Sequence, residues 1–123
     1  QQYRGQPVET YSTDERGELS MYPLVVLVNH STASAAEIIA GSLQANDRAI
    51  LIGAPTFGKD TIQLVFDLED GSSLHITAAH WWIPGLNQSL ADHGLQPDIL
   101  VDPVSGSASD PFIDAAIKYF FPD

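Results

Sequence analysis

Cysteine is absent from this sequence and basic residues are scarce: five Lys and Arg stand against 16 Asp and Glu, for a formal net charge of -11. Without thiols there are no disulfides and no thiolate chemistry, although the compartment stays open. Without a basic patch nothing is available to displace counterions from a phosphate backbone, so nucleic acid is not an expected partner, and anionic membrane surfaces are disfavoured for the same reason. The acidity reads as a solvated surface. No apolar run reaches the length of a membrane span. No signal peptide is visible, and the opening Gln1-Gln2-Tyr3-Arg4 leaves room for a targeting segment removed upstream. Internal repeats and low-complexity tracts are also missing. What remains is 123 residues with 44% hydrophobic content. That supports one domain with a modest core, or part of a larger one.

Hydrophobic patterning predicts an α/β fold. Val8 to Tyr11 reads as a short strand before a turn cluster at Thr13-Asp14-Glu15-Arg16-Gly17-Glu18. Pro23 to Asn29 is apolar on both faces, the pattern of a buried parallel strand. A hydroxyl-rich stretch, His30-Ser31-Thr32-Ala33-Ser34, leads into a helix over 35–45, with Ala36, Ile39, Ala40 and Leu43 on one face and Asn46-Asp47 as its stop. Ala49 to Ile52 is a second buried strand. Strand, helix and strand in about thirty residues make a βαβ unit, which crosses over right-handedly. Ile62 to Leu68 and Ser73 to Ala78 form a hairpin about Asp70-Gly71. Loops follow at 81–85 and at Asp92 to Asp98, then the run Ile99-Leu100-Val101. Residues 105–109 read as a connector. Asp110-Pro111 opens a C-terminal helix with Phe112, Ala115, Ala116 and Tyr119 on one face.

Between the second strand and the hairpin lies Gly53-Ala54-Pro55-Thr56-Phe57-Gly58-Lys59-Asp60, which has the G-x-x-x-x-G-K spacing of a phosphate-binding loop. That function needs a hydroxyl residue after the Lys and a helix opening there. Asp60 replaces the hydroxyl, its charge opposes a phosphate, and a strand pattern follows instead of a helix. Lys59 therefore needs another explanation.

Ser34 sits at the first turn of a helix that follows a buried strand. Backbone N–H groups and the helix dipole at that end favour an oxyanion, which suits a nucleophile, and the same position suits a helix cap. A nucleophilic Ser needs a base. Of the four histidines, His75 and His80 read as packing residues. His30 and His93 carry no spacing that assigns a triad, although His93 follows Asp92. The other base is a neutral Lys. A free Lys titrates near about 10.4, so a basic role requires burial to lower that value. Lys59, flanked by Phe57 and the 62–66 run, is either that base or a surface residue, and Asp60 beside it favours the charged form unless it points away.

Taken together, Ser34 within Thr32-Ala33-Ser34-Ala35-Ala36-Glu37-Ile38, and Thr56-Phe57-Gly58-Lys59 followed by Gln63, resemble the carboxy-terminal processing peptidases. These are also called tail-specific proteases, the S41 group of serine-lysine peptidases. The Ser-to-Lys interval of 25 residues and the Lys-to-Gln interval of four match the family, as does Gly94-Leu95-Gln96-Pro97-Asp98 with its G-x-x-P-D. The likeness runs from about Pro23 to Asp102.

The resemblance implies a ClpP/crotonase-like catalytic domain, incomplete in residues 1–123, with Ser34 as nucleophile, Lys59 as general base, Gln63 holding the Lys amine and the Ala35 N–H as one oxyanion donor. It implies endoproteolysis near protein C-termini through an acyl-enzyme, a protein or peptide substrate, no cofactor and no metal. It also implies export to a bacterial periplasm or cell envelope. The family's PDZ-like module, and the strand with the second oxyanion donor, are not among these residues, so this chain alone is expected to be weakly active or inactive and to self-associate. Asp60 stands where relatives carry a small residue. A rival of another class is a non-catalytic module binding apolar ligands or protein, with Trp81, Trp82, Phe57 and Phe66 lining its pocket.

Overall fold

Valine and leucine at 25–28 favour extended backbone, and in the computed structural model they form strand β1 (Val25–Val28). The structure describes residues 7, 9–13, 17–86, 90–102 and 109–122, with the backbone alone of Asp92. Helix α1 (Ala35–Ala45) follows and ends at Asn46, and strand β2 (Ile50–Gly53) lies parallel to β1, with Val26 opposite Leu51 and Leu27 opposite Ile52. The β1–α1–β2 crossover is the expected βαβ unit. Strands β3 (Thr61–Asp67) and β4 (Ser73–His80) form a separate antiparallel hairpin. A helical turn α2 (Leu90–His93), strand β5 (Ile99–Leu100) and helix α3 (Pro111–Phe120) complete the order. β5 pairs in parallel with β2, giving a sheet ordered β1-β2-β5.

Leu51 and Ile52 point to opposite faces of the sheet, and both are fully buried. Leu51 joins Val28, Ala40, Ile83, Leu90 and Leu95 in the core cluster on the α1 side. Helix α3 packs on β1 and β2 without joining that cluster, so it covers the other face. Phe112, Ala115 and Ala116 of its predicted face are partly buried, whereas Tyr119, expected on that face, is 44% exposed; Asp110 caps the N–H of Phe112 at 2.8 Å. Burial on both faces, expected of 23–29 and of 49–52, holds for β2 and not for β1. Leu27 stays 42% exposed, because the short α3 leaves that part of the second face open.

Four other expectations are corrected. The face of α1 that turns inward is Glu37, Ala40 and Gly41, whereas Ala36 and Ile39 are exposed. Gly41 sets this rotation. A Cβ there would lie 2.4 Å from Ile83 Cδ1 and 2.8 Å from Leu95 Cδ2, so a side chain at 41 would have to displace the ends of those two residues. Hydrophobic periodicity ranked Ile39 above a glutamate and a glycine, and packing reversed that order. Residues 9–11 form no strand, and Val8 lies outside the described residues. The nearest element is a 3-10 turn at Glu18–Met21, which Arg48 holds through the carbonyls of Leu19 and Tyr22 at 2.7 and 2.8 Å. The expected 92–98 loop begins inside α2. His75 and His80 are exposed on β4 rather than packed, because β4 pairs only with β3. Of the 105–109 connector only Ser109 is described. Phe120 and Phe121 are both exposed, Phe121 at 74%.

Candidate active site

Three loops meet at the start of α1. The first, 29–34, folds on itself: Thr32 N–H donates to the Asn29 carbonyl at 2.8 Å, and Asn29 N–H donates to Thr32 Oγ1 at 3.1 Å. The loop ends at Ser34, whose backbone takes φ 55 and ψ -119. An ordinary N-cap has extended angles. Among the described residues only Asp47 (φ 52) shares a positive φ without being glycine, and Asp is a residue that tolerates the left-handed region. A serine there is strained by about 1–3 kcal/mol. The strained residue closes the 29–34 loop at the entry to α1, an elbow-like backbone of the kind that would present the side chain of a nucleophilic Ser. Ala35 opens the helix, and its N–H donates to no acceptor among the described residues, since the neighbouring bonds run from Ala36 and Ile38.

The second loop, 54–60, carries Lys59. Phe57 N–H donates to the Thr32 carbonyl at 2.9 Å and Thr56 N–H to the Leu95 carbonyl at 3.1 Å. Gly58 has φ 86, and a Cβ on it would lie 2.5 Å from the Leu90 carbonyl oxygen. The turn before Lys59 is therefore open only to glycine. The loop runs into β3, not into a helix, which agrees with the exclusion of a phosphate loop. Asp60 engages His80, whose Nδ1 lies 3.1 Å from Asp60 Oδ2 at the base of the hairpin.

The third loop, 94–98, holds the other two in place. Gly94 has φ 65, and a Cβ on it would meet the Thr56 carbonyl oxygen at 2.2 Å. Leu95 N–H donates to Thr56 Oγ1 at 2.7 Å. Asp98 ties the loop to the sheet, accepting the Leu51 N–H at 2.7 Å while its own N–H reaches the Leu51 carbonyl at 2.8 Å. The G-x-x-P-D stretch is thus a clamp on β2 and on the Lys59 loop.

Sequence reasoning quoted Glu37 only as part of a motif, yet it joins these loops. Its side chain is completely buried. Oε2 accepts the N–H groups of Ser34 (2.8 Å) and Lys59 (3.0 Å). Oε1 accepts the Gly58 N–H (2.7 Å) and the Thr56 hydroxyl (2.5 Å). The backbones of Ser34 and Lys59 are therefore two hydrogen bonds apart through one oxygen. A Ser-x-x-Glu capping box is the signal that was available for half of this; the other half needs a loop twenty residues away.

The structure brings Ser34, Ala35 and Lys59 to one place. Among the described residues no hydrogen bond joins Ser34 Oγ to Lys59 Nζ. Gln63 stands on exposed β3 beside a register shift between Ile62 and Gln63, with no side-chain hydrogen bond among the described residues. A bulge of this kind re-aims side chains and is common next to active sites. Of the aromatic residues in the rival reading, Phe57 is 67% exposed, Phe66 47% and Trp82 75%, and Trp81 packs against the core cluster. Among the described residues no cluster of His, Asp and Glu is arranged to hold a metal, and no helix is long and apolar enough to cross a membrane.

Comparison with known proteins bears on this geometry. A sequence profile for Peptidase family S41 matches residues 1–101. A carboxyl-terminal-processing protease of Picosynechococcus sp. is 44% identical over 107 residues, covering 82% of this chain and 26% of that protein. Carboxyl-terminal-processing peptidase 3, chloroplastic, of Arabidopsis thaliana is 51% identical over 77 residues, 63% of this chain and 15% of that protein. Among solved structures, a photosystem II D1 C-terminal processing protease superposes with a TM-score of 0.62 at 43% identity, over 78% of this chain and 24% of that one. The chain spans about a quarter or less of the length of these relatives.

Proposed function

The chain belongs to peptidase family S41, and from that premise we propose that it carries the nucleophile and base of a serine endopeptidase acting near protein C-termini. Ser34 Oγ attacks the scissile carbonyl carbon as Lys59 Nζ accepts its proton. The Ala35 N–H donates to the oxyanion that forms. The C–N bond then breaks, the proton passes from Lys59 to the leaving amine, and an acyl-enzyme remains on Ser34. Water, deprotonated by Lys59, hydrolyses that ester and releases Ser34. Gln63 holds the Lys59 amine towards Ser34 from the bulge of β3. The observation that carries this reading is the elbow backbone of Ser34, with an unengaged N–H on the next residue and Lys59 tied to it through Glu37.

The same reading extends to the fold and setting. The βαβ unit, hairpin and C-terminal helix are read as part of a ClpP/crotonase-like catalytic domain, with a second oxyanion donor on a segment outside these residues. A protein substrate, an exported location and self-association belong to the proposal as well.

In the full-length protein, Ser34→Ala and Lys59→Ala each abolish peptide cleavage while the melting temperature holds. Lys59→Arg fails too, because Arg keeps its proton. The rate rises towards alkaline pH, where a Lys base is neutral. An Arg variant at the parental rate, or a rate that titrates in near about 6.5 as a histidine would, rejects the assignment.

A further inference from the structure

We propose that Glu37 is a positioning residue for this chemistry, its buried carboxylate holding the backbones of Ser34 and Lys59 on one anion. The proposal rests on the Ser-Lys reading above. A Glu at the third position of a helix has an ordinary use, which is to accept the N–H of the capping residue from a solvent-exposed side chain. Glu37 does this for Ser34. It also does what a cap does not require: it is fully buried and accepts three further hydrogen bonds, from Thr56, Gly58 and Lys59, all in the loop that delivers the base.

Burying a carboxylate costs solvation, which only several donors offset. A polar neutral residue would cap the helix without that cost. The four donors are also directional. Both N–H groups on Oε2 belong to residues proposed to react, and the donors on Oε1, the Thr56 hydroxyl and the Gly58 N–H, come from the loop segment just before Lys59. Ser34 holds a strained backbone, so its N–H needs an anchor against relaxation to an extended cap. Movement of that N–H drags Oε2, and with it the Lys59 backbone. Two residues 25 apart in sequence are thereby locked into one geometry. Misplacing reacting groups by about 1 Å costs about a hundredfold in rate.

The test uses the full-length protein with Glu37→Ala, Glu37→Gln, Thr56→Val, Ser34→Ala and Lys59→Ala. Readouts are kcat and KM on a peptide substrate, labelling by a fluorophosphonate probe, and thermal melting. Thr56→Val removes the bonds of Thr56 to Glu37 and Leu95 but touches neither Ser34 nor Lys59. Glu37→Ala lowers kcat and the labelling rate about a hundredfold with KM within about threefold. Glu37→Gln keeps one acceptor oxygen and falls between Glu37→Ala and the parent. Thr56→Val lowers the melting temperature yet keeps kcat within about threefold. A Glu37→Ala enzyme at the parental kcat overturns the proposal, as does a Thr56→Val enzyme that loses as much kcat as a Glu37 variant of equal melting temperature. Where Glu37→Ala does not fold, the same comparison with Glu37→Gln decides. Cleavage by Ser34→Ala or Lys59→Ala rejects the Ser-Lys reading instead, so the two failures are told apart.

Discussion

The parallel sheet with α1 and the β3–β4 hairpin are built on opposite terms. In the first, Leu51, Ile52 and Leu95 are wholly buried, and even a carboxylate, Glu37, is buried with four donors. In the second, every residue from Ile62 to His80 is exposed, including Leu64 (51%), Phe66 (47%) and Ile76 (46%). The hairpin is held by its own ladder and by Asp60 with His80 and Trp81 at its base. A two-stranded hairpin is marginal without a covering layer. The proposed site straddles this divide. Ser34, Ala35 and the Lys59 backbone sit on the packed half, and Gln63 is the member that stands on the other. The backbones of Ser34 and Lys59, the proposed nucleophile and base, are thus positioned by packing and buried hydrogen bonds, whereas Gln63 depends on where the hairpin lies.

The largest effect that separates the halves in stability is core truncation. In the 123-residue chain, Leu51→Ala costs about 2–5 kcal/mol, as a large-to-small change at a fully buried site does, whereas Leu64→Ala stays within about 0.5 kcal/mol, as at a surface. Urea denaturation of both variants checks this, and equal losses would erase the distinction. A loss at Leu64 that grows in a longer chain identifies a segment that covers the hairpin.

A smaller effect concerns association. The apolar hairpin is a surface that a second copy of this chain can cover. Sedimentation at micromolar concentration is expected to find a dimer or larger species, dissociating in a Leu64→Lys, Phe66→Lys double variant. A clean parental monomer refutes it.

The smallest is a pH effect confined to the hairpin turn. Asp70 accepts the Ser72 hydroxyl at 2.6 Å and the Ser72 N–H at 3.0 Å, and these bonds hold its carboxyl below the ordinary Asp value. A lowered folded value stabilises the turn at neutral pH. That contribution fades as pH falls from the ordinary Asp range through the folded value. Because Asp70 is fully exposed, the effect is local. Amide exchange at Gly71 and Ser72 should quicken under acid while exchange at Leu51 does not change, and Asp70→Asn should abolish the pH dependence.

The residue pattern alone determined the βαβ unit of β1, α1 and β2, the hairpin turn at Asp70-Gly71 and the capping of α3 by Asp110. Each depends on local propensity or on periodicity within about ten residues. Resemblance to a known family, carried by the 25-residue and four-residue intervals, marked Ser34, Lys59 and Gln63; the residues by themselves left Ser34 a cap or a nucleophile and Lys59 a base or a surface residue. The structure decided which face of α1 turns inward, since that depends on whether Ile83 and Leu95 have room for a side chain at position 41. It decided that β1 is half open and the hairpin exposed, because burial is a property of what packs on top, not of the strand. Above all it decided the role of Glu37. A glutamate among small residues reads as a solvated helix cap. Only the approach of the 54–60 loop, nearly twenty residues on, supplies the three further donors that bury a charge beside the serine.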